Sequence, residues 1–234
     1  MDTTGTPPNG SHGDQDPRSA GLFRALAQIL GPDGQVAGAG FLVAGGVLMT
    51  CAHVVRAAGS GPGDSLRLAF PHVDGAPVVE GLVLADAWRA PEDEDVAVVR
   101  LSAGGGVTGG VTPLALGSAA GSRGHKVQSY GFPAQAPSGG HYGHGTASGL
   151  LPATKERGVH LQLTDANDLT TGFSGGPVID EMTGLVIGML SEITAPDEYG
   201  RGQGIAYVTP TQVLREVWPR GAEGTRDRRP VGNR

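Results

Sequence analysis

The chain of 234 residues is 38% hydrophobic, which is enough for one domain of ordinary size with a buried core. Its 41 glycines and 17 prolines against 5% aromatic residues favour many short strands joined by tight turns and argue against long helices. The net charge of -6 provides no overall basic surface, so nucleic acid is not an expected partner.

The single cysteine, Cys51, cannot form an internal disulfide, which indicates a reducing compartment. The N-terminus begins without the basic and apolar regions of a signal peptide, and no stretch approaches the length of a membrane span. We therefore expect a cytoplasmic protein with no membrane partner. The dominance of arginine over lysine, with much Ala, Gly and Pro, suggests a GC-rich bacterial genome.

Both ends of the chain are polar and are expected to lie outside the folded domain. Residues 1–20 are rich in Gly, Pro, Ser and Asp, which predicts a disordered N-terminal arm. Residues 220–234 carry five arginines against Glu223 and Asp227, which is typical of a basic tail or of a linker to another module. The folded domain is expected over 21–219.

Short apolar runs separated by turn residues predict an all-β domain. About twelve strands are expected, over 22–30, 35–43, 47–50, 65–70, 78–85, 96–101, 126–131, 145–151, 159–163, 176–180, 185–191 and 204–208. A Gly-rich segment over 102–110 predicts a linker between two six-stranded antiparallel β-barrels, about 21–105 and 106–219.

Helix is expected in only two places. One is a turn that begins at Ala52, and the other is a short C-terminal helix over 210–217. Thr209 is the expected cap of the second helix, and Pro210 suits its first position.

The clearest chemical motif is Gly-Phe-Ser-Gly-Gly-Pro-Val over residues 172–178, followed by a predicted strand. A serine hydroxyl attacks a peptide carbonyl productively only where backbone N–H groups receive the oxyanion, and glycines allow the tight turn that aims them. We expect Ser174 to be the nucleophile, with the N–H groups of Gly172 and Ser174 as the oxyanion hole. A Gly-rich turn between strands would explain the glycines but not the motifs that accompany the serine.

Two further motifs each place a polar side chain beside an apolar strand. Residues 48–55 lead a strand into a turn that ends on His53, although an isolated histidine is more often structural. Residues 92–101 lead an acidic loop into a strand, and Asp95 stands immediately before that strand, where it can be buried and accept a histidine N–H. A solvated acidic loop is the plainer interpretation, and Asp93 is the second choice for the acid.

Two other groups have less specific interpretations. His141 and His144 are spaced for a metal pair, but no third ligand is near in the sequence, and a loop by the active site is the simpler prediction. Cys51 stands two residues before His53 and could be mistaken for a nucleophile. Because the motif around Ser174 already provides a nucleophile, we expect Cys51 to be a small buried residue.

Together these motifs resemble the trypsin/chymotrypsin superfamily of serine proteases in identity, order and approximate spacing. The resemblance rests on Thr-Cys-Ala-His ending at His53, Asp-Val-Ala-Val-Val beginning at Asp95 and Gly-Phe-Ser-Gly-Gly-Pro around Ser174, and it covers residues 22–219. It is nearest to disulfide-free bacterial members, including HtrA-like proteases and trypsin-like domains fused to other modules. It implies a serine endopeptidase that acts on polypeptides and needs no metal or organic cofactor.

By that resemblance His53 is general base and then general acid, Asp95 orients and stabilises the imidazolium, and Ser174 forms the acyl-enzyme. One position departs from secreted trypsins, in which an aspartate before the nucleophile pairs with a newly cut N-terminus. Phe173 stands there instead. We therefore expect Phe173 to pack inward, activation to be independent of N-terminal cleavage, and any regulation to act through loops or a partner.

The resemblance also implies a specificity pocket. In the superfamily the residue six places before the nucleophile lies at the base of this pocket; here it is Asp168, which predicts cleavage after Arg or Lys. The other walls are expected from Ser191, Glu192, Ile193 and Gly204. Two alternatives stay open: Asp168 caps a turn, or one inserted residue points it away from the pocket.

A function of another class is also compatible with the fold. A protease-fold module could bind extended peptides at the sheet edge over 191–193 without cleaving them. The three motifs speak against this reading, because binding alone does not require histidine, aspartate and serine together.

Overall fold

Two closed antiparallel β-barrels of six strands each contain all twelve strands of the described chain. The computed structural model describes residues 17–102, 107, 110–154, 158–199 and 201–219. The first barrel comprises β1 (Leu26–Leu30), β2 (Val36–Ala44), β3 (Val47–Thr50), β4 (Ser65–Ala69), β5 (Val78–Arg89) and β6 (Val96–Leu101). The second comprises β7 (Lys126–Gly131), β8 (His141–Leu151), β9 (His160–Thr164), β10 (Pro177–Asp180), β11 (Leu185–Ile193) and β12 (Ala206–Pro210).

The first barrel closes in the order β1-β2-β3-β6-β5-β4. Strand β4 illustrates the pattern that drives closure, because Leu66 and Leu68 are buried whereas Ser65 and Arg67 are exposed. This alternation is the one expected of a strand with one face on a core and the other in solvent. Strand β3 is buried along its whole length and delivers the chain directly to the site described below.

The second barrel closes in the order β10-β11-β12-β9-β8-β7. A β-bulge in β11, between Leu190 and Glu192, leaves Ser191 outside the regular pairing with β12. Helix α3 (Thr211–Val217) packs against β11, β12 and β5, so it contacts both barrels. Within the described ranges, no helix has the length and apolar character needed to cross a membrane.

The predicted fold of two six-stranded barrels with a short C-terminal helix is confirmed. The predicted linker over 102–110 lies between β6 and β7, although its residues 103–106 and 108–109 fall outside the described residues. Most of the predicted N-terminal arm, 1–16, and the whole predicted tail, 220–234, also fall outside them.

The N-terminal boundary differs from the prediction. Helix α1 (Pro17–Arg24) includes the last four residues of the predicted arm and the first residues of the predicted strand over 22–30. Leu22 of this helix is buried and Phe23 is half-buried, so packing against the barrels supports a helical turn that local composition does not indicate.

Two further boundaries were predicted incorrectly. Strand β8 begins at His141 and pairs with β7 from there, so the segment that contains both histidines is strand and not loop. Helix α3 begins at Thr211 with Pro210 in the N-cap position and without a side-chain cap. Thr209 does not cap this helix, because its Oγ1 donates a hydrogen bond to the Glu94 carbonyl of the first barrel at 3.1 Å.

Candidate active site

His53 is the second residue of helix α2 (Ala52–Ala57), which follows β3 after the single extended residue Cys51. The main-chain N–H of His53 donates to Asp95 Oδ1 at 2.8 Å, and its ring Nδ1 lies 2.6 Å from Asp95 Oδ2. Because a carboxylate only accepts, the neutral imidazole carries its proton on Nδ1 and leaves Nε2 as an acceptor. The pair fixes both the orientation and the tautomer of the ring.

Asp95 is held in an unusual backbone conformation. Its φ of 55° lies in the left-handed region, which costs a non-glycine residue about 1 kcal/mol or more. The main-chain N–H of Asp95 donates to the Ala90 carbonyl at 3.1 Å, β6 begins at the next residue, and both carboxylate oxygens bind His53. The backbone conformation thus aims a buried carboxylate at the histidine. Asp93, the second choice for the acid, is exposed.

The loop that carries Ser174 is attached to the first barrel through its backbone. The Ser174 carbonyl accepts a hydrogen bond from the Ala39 N–H at 2.9 Å, and Gly175 N–H donates to the Leu190 carbonyl at 2.8 Å. A methyl group on Gly175 would overlap the Ala39 carbonyl oxygen and lie 2.5 Å from Thr50 Oγ1, so only glycine fits at this junction. Since Thr50 ends the strand that leads to His53, the serine loop and the histidine share one support.

Two backbone donors next to Ser174 have no acceptor within the described residues: the N–H groups of Gly172 and Ser174. Gly172 has a φ of 104°, and a side chain there would come within 2.6 Å of the Pro133 backbone. Its carbonyl accepts from the Phe132 N–H at 3.0 Å, which sets the orientation of this turn. Free, fixed N–H groups beside a hydroxyl are what an oxyanion requires.

Within the described residues, no hydrogen bond joins Ser174 Oγ to His53 in this conformation. Nucleophile–base contacts are often long in the absence of substrate and shorten when it binds. Phe173, next to the serine, is fully buried, which confirms the inward packing expected of it. Its ring packs against Gly131 and Gly143 and lies 5.4 Å from the ring of His141.

Asp168, the residue expected at the pocket base, is bound by a histidine of β8. Its carboxylate accepts from the His144 N–H at 2.8 Å and lies 2.9 Å from His144 Nδ1 on β8. Burial alone raises the pKa of Asp168, but the hydrogen bonds from His144 outweigh this effect and lower the pKa below its ordinary value. The carboxylate is therefore ionised and already has a partner.

Asn167, and not Asp168, faces Gly204. The Asn167 side-chain amide lies 2.7–3.4 Å from the point that a side chain on Gly204 would occupy, and Ala166 N–H donates to the Gly204 carbonyl at 2.9 Å. Asp165 adopts a positive φ of 56°, which turns the chain so that consecutive side chains diverge. These contacts favour the alternative in which one inserted residue points Asp168 away from the pocket.

The other predicted pocket residues lie at the end of β11. Ser191, in the bulge, donates from Oγ to the Tyr207 carbonyl at 3.1 Å. Glu192 is exposed, and Ile193 packs against the core of the second barrel.

A cavity of about 350 Å³ separates this edge from the histidine. It is lined by His53, Pro91, Glu92, Asp93, Asp95, His160, Ser191 and Glu192. His160 is a buried residue of this cavity, with Nδ1 2.8 Å from the Gly158 carbonyl. It was not among the residues predicted from the sequence. No local motif marks it, because its position in the cavity depends on closure of the second barrel.

Cys51 is fully buried, as predicted. Burial and the neighbouring Asp95 raise the pKa of its thiol well above the usual value, and Sγ donates to the Leu190 carbonyl at 3.3 Å. Cys51, His53 and Asp95 bring potential metal-ligand atoms within 4.8 Å of one another. A protonated thiol and a carboxylate bound to histidine are poor ligands as they stand, so the trio suits proton transfer better than metal binding.

Two six-stranded barrels, with a histidine–aspartate pair from one and a serine loop from the other, define the trypsin-like class of serine proteases. The chain belongs to the trypsin-like peptidase domain family, whose sequence model matches residues 38–189. A comparison with curated protein sequences found no match.

Solved structures share the fold. Rv3671c from M. tuberculosis H37Rv, as a serine-to-alanine mutant in an inactive form, is 20% identical, with a TM-score of 0.63 over 93% of this chain and 94% of that one. The HtrA-type protease AlgW with a decapeptide is also 20% identical, with a TM-score of 0.63 over 89% of this chain and 68% of that one.

Proposed function

We propose that the protein is a serine endopeptidase that cleaves polypeptides through an acyl-enzyme at Ser174. His53 Nε2 takes the proton from Ser174 Oγ as the oxygen attacks the scissile carbonyl carbon. The N–H groups of Gly172 and Ser174 stabilise the oxyanion that forms. His53 then gives its proton to the leaving amine, and a water molecule activated by the same ring releases the acyl group.

One observation carries this proposal. The main-chain N–H and the Nδ1–H of His53 donate to the two carboxylate oxygens of Asp95, which leaves ring Nε2 as the hydrogen-bond acceptor of His53. Asp95 can then stabilise the imidazolium when His53 accepts the serine proton. A binding module gains nothing from this arrangement, whereas proton transfer depends on it.

The substrate side of the site favours an uncharged residue before the cleaved bond. The predicted preference for Arg or Lys depended on Asp168, whose carboxylate is bound by His144. The described residues place an uncharged amide, that of Asn167, against Gly204, so a cation at this wall of the pocket would meet an amide instead of a carboxylate. The HtrA-type protease AlgW was solved with a decapeptide, which supports a polypeptide as the ligand here.

Fluorophosphonate labelling with a peptide-library cleavage profile would test the proposal. The wild type should label and cleave, while Ser174→Ala should do neither and should keep the wild-type circular dichroism spectrum. Binding of library peptides by the wild type without any cleavage or labelling would refute the proposal and favour a peptide-binding module.

A further inference from the structure

The loop over 132–140, which joins β7 to β8, packs against Gly172 of the proposed oxyanion hole. Its first residue, Phe132, donates its N–H to the Gly172 carbonyl at 3.0 Å, and the Pro133 backbone fills the space that a Gly172 side chain would need. The position of this loop therefore fixes the Gly172–Phe173 peptide plane, and through the Cα of Gly172 it limits the orientation of the preceding plane, which carries the Gly172 N–H. The catalytic role of that N–H is part of the proposed function, on which the following inference rests.

The far end of the same loop is bound by residues of both barrels. The Gly139 carbonyl accepts from the Tyr130 hydroxyl at 2.8 Å and lies 2.8 Å from His72 Nε2. Gln28, on β1, donates its side-chain N–H to the Ser138 carbonyl at 2.8 Å. Burial, together with neighbouring Tyr142, raises the pKa of Tyr130, so its hydroxyl keeps the proton that it donates. Side chains from distant parts of the sequence thus meet on a loop with no regular structure.

Helix α1 completes this arrangement through one aromatic side chain. The Phe23 ring lies 5.2 Å from the His72 ring, 5.0 Å from the Tyr130 ring and 5.6 Å from the Tyr142 ring. Tyr130 and Tyr142 also contact each other edge to face at 5.2 Å. We name these four residues the aromatic clamp. Phe23 is the member that lies on helix α1, and it touches each of the other three.

We infer that Phe23 is a positioning residue for the oxyanion hole. By packing on His72 and Tyr130, it keeps their side chains on the Gly139 carbonyl, and it thereby holds the loop over 132–140 against Gly172. Among the described residues, the ring contacts of Phe23 are with His72, Tyr130 and Tyr142 and not with His53. Its removal should weaken stabilisation of the oxyanion more than binding of the substrate, because only the transition state uses the Gly172 N–H fully.

The test compares Phe23→Ala with Leu22→Ala and Phe23→Tyr at 25 °C. Leu22 is the matched control, because it is a buried apolar residue of the same helix that is not a member of the clamp. Phe23→Ala should lower kcat about tenfold or more with KM changed less than about threefold. Leu22→Ala should lower the melting temperature without this loss of kcat, and Phe23→Tyr, which keeps the ring, should restore kcat.

Hydrogen exchange over 131–140 and 170–175 provides a second readout that does not depend on turnover. Exchange in both segments should accelerate in Phe23→Ala and not in Leu22→Ala. Unchanged exchange, or a fall in melting temperature with kcat intact, would overturn the positioning role. A wild type that cleaves no peptide would instead refute the proposed function, and the exchange data would still decide whether Phe23 orders the loop.

Discussion

Two histidine–aspartate pairs of similar chemistry occupy different regions of the molecule. Between the barrels, His53 Nδ1 lies 2.6 Å from Asp95, which gives both of its oxygens to that one histidine. At the end of β10, His125 Nδ1 lies 2.9 Å from Asp180, which is almost fully buried and uses its other oxygen for the Met182 N–H. His53 and Asp95 line a cavity shared by both barrels, whereas Asp180 divides its oxygens between a histidine and a turn, so we expect only the first pair to take part in proton transfer.

The largest expected effect is a loss of kcat on substitution of Asp95, which substitution of Asp180 should not cause. Asp95→Asn should lower kcat about 10⁴-fold, the size of loss for this change in a trypsin-like triad, because the histidine is then held in the wrong tautomer. Asp180→Asn should leave kcat unchanged. Hydrolysis of a fluorogenic peptide measures both, and Ser174→Ala and His53→Ala set the fully inactive baseline.

Asp93→Asn provides the internal control for this comparison. It removes a charge from the same acidic loop without touching the ring. If Asp93→Asn inactivated the enzyme and Asp95→Asn did not, the triad acid would have to be reassigned.

The next effect concerns the oxyanion hole. Gly172→Ala should lower kcat about 10²- to 10³-fold, because the added methyl group would collide with Pro133 and displace the N–H donor. Gly184→Ala is the matched control: Gly184 also has a positive φ, of 68°, but a side chain there meets nothing within 4 Å. It should lower stability by about 1 kcal/mol and spare kcat. Equal losses of kcat in the two variants would show that backbone strain at a positive φ, and not displacement of the N–H donor, causes the loss.

A third histidine–aspartate pair, His144–Asp168, allows a test of specificity. Asn167→Asp should raise the rate on arginyl peptides relative to leucyl peptides about tenfold, because it places a carboxylate against Gly204. Asp168→Asn should leave that ratio unchanged, since its carboxylate is directed to His144. A wild-type preference for arginine that disappears in Asp168→Asn would return Asp168 to the base of the pocket.

The smallest effect is on acid stability. Burial raises the pKa of Asp180, but hydrogen bonds from His125 and the Met182 N–H outweigh it, so the folded-state pKa lies below the ordinary value of about 3.9. A carboxyl group with a lowered pKa stabilises the fold above that ordinary value, and the contribution is lost as the pH falls through the folded-state pKa. Urea denaturation should therefore show Asp180→Asn to be less stable than wild type at pH 7, with the gap closing below about pH 4. A gap that stays constant to pH 3 would contradict the charge-based explanation.

The parts of the site that could be predicted from the sequence are those encoded by contiguous residues. His53, Asp95 and Ser174 each stand at the junction of an apolar run and a turn, and the short apolar runs separated by turn residues predict the all-β fold. The position of Asn167 could not be predicted by counting back from Ser174, because the turn at Asp165 changes which side chain faces Gly204.

The aromatic clamp could not be predicted from the sequence, for a related reason. Phe23, His72, Tyr130 and Tyr142 are separated by up to 119 positions in the chain. Only closure of the barrels and packing of α1 bring their rings together. Helix α1 itself was predicted as arm and strand, since its support is tertiary contact and not helix propensity.

Main-chain atoms make the bonds that hold the serine loop: Ala39 to Ser174, Gly175 to Leu190 and Phe132 to Gly172. Almost any residue can supply such groups, so substitutions at most of these positions leave the bonds available. The loop constrains side-chain volume chiefly at Gly172, Gly175 and Gly176. Sequence divergence to 20% identity, as with Rv3671c, is therefore compatible with a shared fold, and we expect few positions around the serine to need a particular side chain.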